Sequence, residues 1–358
     1  MMWTLSWMLS RMFLSRFALI LFGITMFVLT LDVVTYAGDV LKLHNDDLGA
    51  VLQYAGMRLP GIASSFIGIC ALLAALLMLT EVSHNSELVA IWSSGVSQMR
   101  LILILAPAAL LIGGIHYLIN DRAVPNAAPT LHEWGIGEYS NKKLNVSEDD
   151  PLWMRSGNDI LRAGKSNEGA TSLSDVTIFK RDGYGILIEK ISARKAERVQ
   201  GRWELTDVAI YYRENLPPDR LDRMIYSGLM RPAATGVRSG DPEEMTSVDL
   251  QYFIKNAGFG IRPAHVYETW LNKRFTLFVV SFLMVLLAVP LSVRFQRGGG
   301  LGWLFAVGVA MGFGFFIFEG ISLTMGELGL VPPWMAAWMP ILIFLSAGTA
   351  IAFRYETL

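Results

Sequence analysis

Charge is scarce in this chain. Of its 358 residues only 17% are Asp, Glu, Lys or Arg, against about a quarter in soluble proteins. The shortfall excludes an ordinary water-soluble enzyme, and a net charge of −1 leaves no basic surplus for binding nucleic acid. Cysteine is nearly absent: Cys70 stands alone, so neither a disulfide framework nor a multi-cysteine metal site can form. The five histidines never fall at the i, i+4 spacing of a helical metal pair. No serine sits in a Gly-x-Ser-x-Gly elbow and no nucleophile is paired with a base, so an enzyme is not expected and no cofactor is implied. What the chain has is apolar mass. It is 53% hydrophobic, with 17 Met, 10 Trp and 33 Gly, a composition that suits helices packed in lipid.

The averages conceal two bodies. Residues 122–274 hold 22 of the 30 Lys and Arg and 21 of the 31 Asp and Glu. The flanks are therefore far more apolar than the mean. A helix needs roughly 17–25 apolar residues to cross a bilayer, and six segments qualify: 13–37, 59–80, 101–119, 275–293, 301–325 and 331–353. The first is too long for a signal-peptide core and has no small-residue cleavage site after it, so it reads as a span. Six spans put both termini on one side. Arg11, Arg16, Arg100, Arg294, Arg297 and Arg354 fall on that side, and only Lys42 and Arg58 on the short loops opposite. Basic residues favour the cytoplasm, which places the termini there and the polar domain outside.

Within that domain, residues 175–180, 185–191 and 202–212 mix alternation with β-branched and aromatic residues, separated by turn signals such as Arg181-Asp-Gly and Gln200-Gly. The pattern predicts antiparallel strands. Residues 215–247, rich in Pro, Gly and charge, read as a long irregular connection, followed by a short helix over 248–257. Ala163-Gly164-Lys165-Ser166 looks like the end of a phosphate-binding loop, but the glycine needed five residues before Gly164 is Asp159. With no other Walker-type sequence, the chain carries no ATP engine.

Residues 81–100 are the informative cytoplasmic segment. Ser83 or Asn85 can cap a short helix at about 82–96, Glu87 lies in its first turn, and Gly95 can end it in a left-handed conformation. Leu88, Ile91 and Trp92 form one apolar stripe at i, i+3, i+4. Few positive charges accompany the stripe, which favours docking on a protein partner over a lipid surface. Two acidic residues, Asp32 and Glu319, fall inside or at the ends of spans. Each either faces a cavity or partner, or sits wet near the outer interface. Gly308, Gly312 and Gly320 permit close helix approach, within the chain or at a subunit seam.

Three stretches resemble the LptF/LptG permeases of the lipopolysaccharide-export ABC transporter. They are Ser86-Glu-Leu-Val-Ala-Ile-Trp-Ser-Ser-Gly-Val-Ser97, Tyr267-Glu-Thr-Trp-Leu-Asn-Lys-Arg-Phe275 with Leu286-Leu-Ala-Val-Pro290, and Met325-Gly-Glu-Leu-Gly-Leu-Val-Pro-Pro-Trp-Met-Ala-Ala-Trp-Met-Pro340. The order of three spans, outer β domain and three spans agrees too, and the N-terminal segment is more similar to LptG than to LptF. The resemblance implies an α-helical membrane protein with six transmembrane helices and a periplasmic all-β jellyroll inserted between helices 3 and 4. Helices 1–3 and the coupling helix would occupy 1–121, the jellyroll and its connections 122–265, and helices 4–6 residues 266–358.

The same resemblance implies a transport role, the extraction of lipopolysaccharide from the inner membrane and its transfer to a periplasmic bridge. The partners would be a sister LptF-like permease, an LptB-like ATPase dimer that hydrolyses the ATP, an LptC-like bitopic protein and an LptA-like bridge. Glu87 matches the family's coupling-helix glutamate, with Leu88, Ile91, Trp92 and Gly95 around it. The chain departs from the family pattern by holding Gly68 where Pro is frequent in span two, and Asp32 where LptG members carry Lys in span one. Lipid contact then falls to Asp32, Lys42, Arg58, Arg262, Lys273, Arg274 and Glu319 as candidates at the outer interface. Two rivals differ in kind. A permease for another amphiphile or lipoprotein usually has four spans, and a non-transporting β-domain scaffold needs no cytoplasmic helix between spans two and three.

Overall fold

The computed structural model describes residues 2–45, 47–84, 91–93, 95–142, 152–156, 158–166, 172–182, 186–199, 202–212, 217–228, 241–255, 262–295 and 301–356. These form two compact units: 1–127 with 269–358, and 128–268.

The first unit is helical, and among the described residues six helices are long and apolar enough to cross a membrane. They are α1 (Met2–Leu43), α2 (Leu48–His84), α3 (Gln98–Leu118), α6 (Ala264–Phe295), α7 (Leu301–Glu327) and α8 (Pro333–Glu356). Several run longer than the apolar segments alone predict. The 42 residues of α1 span about 63 Å at the helical rise, twice the hydrocarbon thickness, so its ends stand beyond the apolar layer. Helix α2 starts well before its charge-free stretch and passes through Pro60, which helix neighbours accommodate in membranes.

The centre of the unit is built by α2, α3 and α6, whose Leu72, Leu76, Ile102, Leu105, Leu283 and Met284 are all fully enclosed. Helix α1 buries far less of itself and presents Leu19, Phe22 and Phe27 outward. Apolar side chains on the outside are what hydrocarbon solvent allows. Close crossings need small residues: a Cβ on Gly113 of α3 would sit 2.2 Å from the Phe278 carbonyl oxygen of α6, and one on Gly308 of α7 would sit 2.3 Å from Leu76 of α2. Gly308 and Gly312 thus mark a seam within the chain, whereas Gly320 meets nothing within 4 Å.

Helix α3 continues through a π-turn (Ile119–Ala123) into α4 (Val124–Trp134), an element the sequence pattern does not announce. The second unit then carries a seven-stranded antiparallel sheet in the order β1-β2-β4-β5-β6-β7, with β3 pairing β4. The strands are β1 (Leu152–Ser156), β2 (Asp159–Ala163), β3 (Lys165–Ser166), β4 (Ser172–Arg181), β5 (Leu187–Val199), β6 (Arg202–Tyr211) and β7 (Asp219–Tyr226). Strand β7 corrects the reading of residues 215–247 as irregular throughout. It is an edge strand, and its Asp219, Arg220, Asp222 and Arg223 are exposed. Charge on an edge protects against unwanted pairing, and it also hides the alternation that would reveal a strand.

One face of the sheet is enclosed, with Leu161, Val176, Ile178, Ile191, Leu205 and Val208 fully buried. The Ala163–Ser166 stretch lies in strands β2 and β3, and Gly164 N–H donates to the Ser174 carbonyl oxygen at 2.9 Å, which is ladder geometry and not a phosphate loop. Helix α5 (Ser247–Lys255) leads back to α6. Thr246 caps it, taking a hydrogen bond from Asp249 N–H at 3.1 Å and donating to the Asp249 carboxylate at 2.7 Å.

Candidate functional site

The first candidate site is the segment that follows α2. Residues 85–90 and 94 lie outside the described residues, so Glu87 and Leu88 receive no structural account. Residues 91–93 are helical, and Gly95 has φ +83°, the left-handed conformation expected of a helix-ending glycine. Its N–H donates to the Trp92 carbonyl at 2.9 Å and Val96 N–H to the Ile91 carbonyl at 3.4 Å, which closes the helix end. Ser97 then caps α3 through the Arg100 N–H.

The described part of the apolar stripe packs on the bundle itself. Ile91 and Val96 belong to the bundle's own core, and Trp92 packs against that core. Ile91, Trp92 and Val96 thus anchor this end of the segment to its own helices. Nearby, Arg16 of α1 grips Glu81 of α2, donating from Nε to Oε2 at 3.1 Å and from Nη2 to Oε1 at 2.9 Å. This fork of two parallel hydrogen bonds joins the two helices one turn before α2 ends.

The second candidate site lies at the opposite end of the bundle, where the sequence places its lipid-facing cations. Asp32 of α1 accepts from Arg58 Nε at 3.1 Å, from Arg58 Nη2 at 2.9 Å and from the Tyr54 hydroxyl at 3.0 Å. The pair's side chains keep only 13% and 12% of their surface. Asp32 therefore is not a lone acid in a span; it has drawn its own counter-ion from α2. Lys273 of α6 pairs in the same way with Glu319 of α7, both nearly enclosed. Beside it Arg274 is 2% exposed and donates through Nη1 to the Asn120 carbonyl oxygen at 2.6 Å. The π-turn presents that carbonyl, and Asn120 in turn donates from Nδ2 to Ser64 of α2 at 2.5 Å.

Five of the seven candidates thus form two buried polar ties that connect α1 to α2 and α6 to α7, with Arg274 binding the α3 turn. Wet surface acids they are not, because a charge leaves water only where a partner compensates it. The two others differ. Lys42 is 82% exposed, with Asp39 a loose 3.9 Å away. Arg262 lies in the second unit with Asp241 at 4.0 Å. Sequence reasoning missed the Trp270–Glu327 hydrogen bond, 2.6 Å from Nε1 to Oε1, which ties α6 to α7. Both residues lie in the motifs quoted above, but 57 positions separate them. No group of three or more His, Cys, Asp or Glu that could hold a metal occurs among the described residues.

The chain is similar to known proteins over most of its length. The model of the family "Lipopolysaccharide export system permease LptF/LptG" matches residues 7–354. The chain is 21% identical over 304 residues to the lipopolysaccharide export system permease protein LptG of Haemophilus influenzae, covering 84% of each protein. It is 23% identical over 303 residues to the LptG of Escherichia coli K12, covering 82% of each.

Proposed function

The chain belongs to the LptF/LptG family of lipopolysaccharide export permeases, and from that premise we propose how its two candidate sites divide the work. It is a multi-pass inner-membrane permease of the lipopolysaccharide export system. In this reading it takes lipopolysaccharide from the inner membrane and passes it, by way of the β domain, toward a periplasmic bridge. The termini lie in the cytoplasm and the β domain in the periplasm, supported by the six arginines on one side against two cations on the other.

ATP hydrolysis belongs to a separate LptB-like dimer. A sister LptF-like permease, an LptC-like bitopic protein and an LptA-like bridge complete the path. Glu87, in the segment between α2 and α3, is the contact with the ATPase; Leu88 lies beside it, while Ile91, Trp92 and Gly95 fix the segment on the bundle. Movement of the ATPase then reaches α2 directly and α1 through the Arg16–Glu81 fork.

At the outer end of the bundle the lipid's anionic head is met by exposed Lys42; in the β unit, Arg262 is a separate candidate contact. The Asp32–Arg58 and Lys273–Glu319 pairs and Arg274 hold the bundle's helices in register. Diverting a buried arginine to a phosphate would strand its carboxylate, and that cost opposes the exchange. The observation that carries the proposal is the family match over nearly the whole chain on a body of six spans with an inserted β sheet. The test is Glu87→Ala in the assembled complex in proteoliposomes. ATP-driven release of lipopolysaccharide should fall at least tenfold while the subunits still co-purify. Full release by the variant would refute the coupling role.

A further inference from the structure

A row of interruptions crosses the β sheet. Between β4 and β5, Ser174 pairs Lys195 and Val176 pairs Ala193, with the position between them unpaired. The same gap recurs between β5 and β6, flanked by Lys195–Thr206 and Ala193–Val208, and between β6 and β7, flanked by Thr206–Arg223 and Val208–Leu221. Residues 175, 194, 207 and 222 therefore line up across four strands. Asp175 and Asp207 in this row have φ of 49° and 56°, a region that non-glycine residues seldom adopt and that Asp tolerates better than most.

The consequence is visible in what is buried. Leu173 and Val176 are both enclosed although three positions apart, and so are Ala193 with Ala196 and Leu205 with Val208. In a regular strand residues three apart point to opposite faces. The row is thus a crease that keeps the same apolar face inward on both of its sides.

The two halves meet again at their far ends. Tyr226 ends β7 four positions beyond the crease, and Asp159 begins β2, level with the other end of β4 and β5. The Tyr226 hydroxyl donates to Asp159 Oδ2 at 2.8 Å, although three strands lie between β2 and β7. Tyr226 is 3% exposed. Ser156, across the β1–β2 turn, also bonds the hydroxyl. Burial first, then Asp159, hold the phenol's pKa above its ordinary value, so the hydroxyl remains a donor. Asp159 Oδ1 also accepts from the Arg181 N–H at 3.4 Å.

We infer that the β domain opens about this crease, and that the Tyr226–Asp159 hydrogen bond is the latch that holds it closed until a hydrocarbon chain of an amphiphile enters. The inference rests on the reading that the β domain receives lipid. In the closed domain Ile191, Leu205 and Val208 are sealed from solvent, so an acyl chain can lie on them only if the halves part. Opening exposes apolar surface, which a long hydrocarbon chain covers again and a small polar solute does not. The latch adds a threshold that favours ligands with enough apolar area.

The test uses the chain in phospholipid nanodiscs with Cys70→Ser and a single new cysteine. At Ala193→Cys, on the inner face, Tyr226→Phe should raise the rate of maleimide labelling about tenfold. Asp159→Asn, which keeps an acceptor oxygen, should fall between. At Ser192→Cys, on the other face of β5, the rates should not change, which reports that the sheet is intact. Equal labelling of Ala193→Cys with and without Tyr226→Phe overturns the latch. In a second arm, a photo-crosslinker at Leu205 should capture added lipopolysaccharide more efficiently in the Tyr226→Phe background. Faster labelling with no capture in either background overturns lipid entry while leaving the hinge in place.

Discussion

The helical unit and the β unit solve opposite problems with the same amino acids. In the bundle large apolar side chains such as Phe22, Trp303 and Phe313 point outward, and charged residues such as Arg58, Lys273 and Arg274 are enclosed. In the β unit Leu161, Ile178 and Leu205 are enclosed, and the Arg194–Asp207 and Lys195–Glu197 pairs stand on the surface. Where the surroundings are hydrocarbon, burying apolar surface gains little, and polar ties with close contacts hold helices together. Where the surroundings are water, burial of the apolar face dominates and surface pairs contribute little. An ion pair therefore has a different weight on either side of the 127/128 division.

Substitutions can break that contrast, and the largest effect belongs to the bundle. Arg58→Ala strands Asp32 and should destabilise the reconstituted chain by about 3–5 kcal/mol, seen as loss of the folded fraction in denaturant titration. Arg58→Met with Asp32→Leu should recover most of the loss. If the single change were as mild as the double, the pair would not be what joins α1 to α2. Next comes Leu205→Ala, at about 2–5 kcal/mol for an emptied core site. Hydrogen exchange should rise across residues 172–226 and stay unchanged in α2 and α6; a spread into the bundle would mean that the units are not energetically separate. Arg16→Ala removes a partly exposed pair and should cost about 1 kcal/mol or less in the same denaturant titration. Smallest of all, Arg194→Ala should change thermal stability by less than about 0.5 kcal/mol, because its partner Asp207 is already in water.

Much of the architecture is legible in the residues alone. The charge-poor runs mark six spans because hydrophobic length is a local property that a bilayer reads directly. Strands β4, β5 and β6 show in alternation because one face of each is buried. Strand β7 does not show, since an exposed edge has no need of alternating apolar residues. The candidate site is half legible. Glu319 and Asp32 attract notice as acids within apolar runs, and Gly95 as a helix end. Their partners do not, and the apolar stripe at Ile91 and Trp92 could equally serve a foreign groove or the chain's own core.

What the sequence determined alone is therefore the solvent of each part: which segments lie in lipid, which in water, and on which side basic residues weigh. Those properties sum over neighbours in the chain. Only the tertiary structure decided who meets whom. Arg58 finds Asp32 across 26 positions, Lys273 finds Glu319 across 46, Tyr226 finds Asp159 across 67, and Arg274 finds the Asn120 carbonyl across 154. A polar group removed from water requires a partner, but chain distance does not say which one. The folding of the helices and the crease in the sheet make that choice.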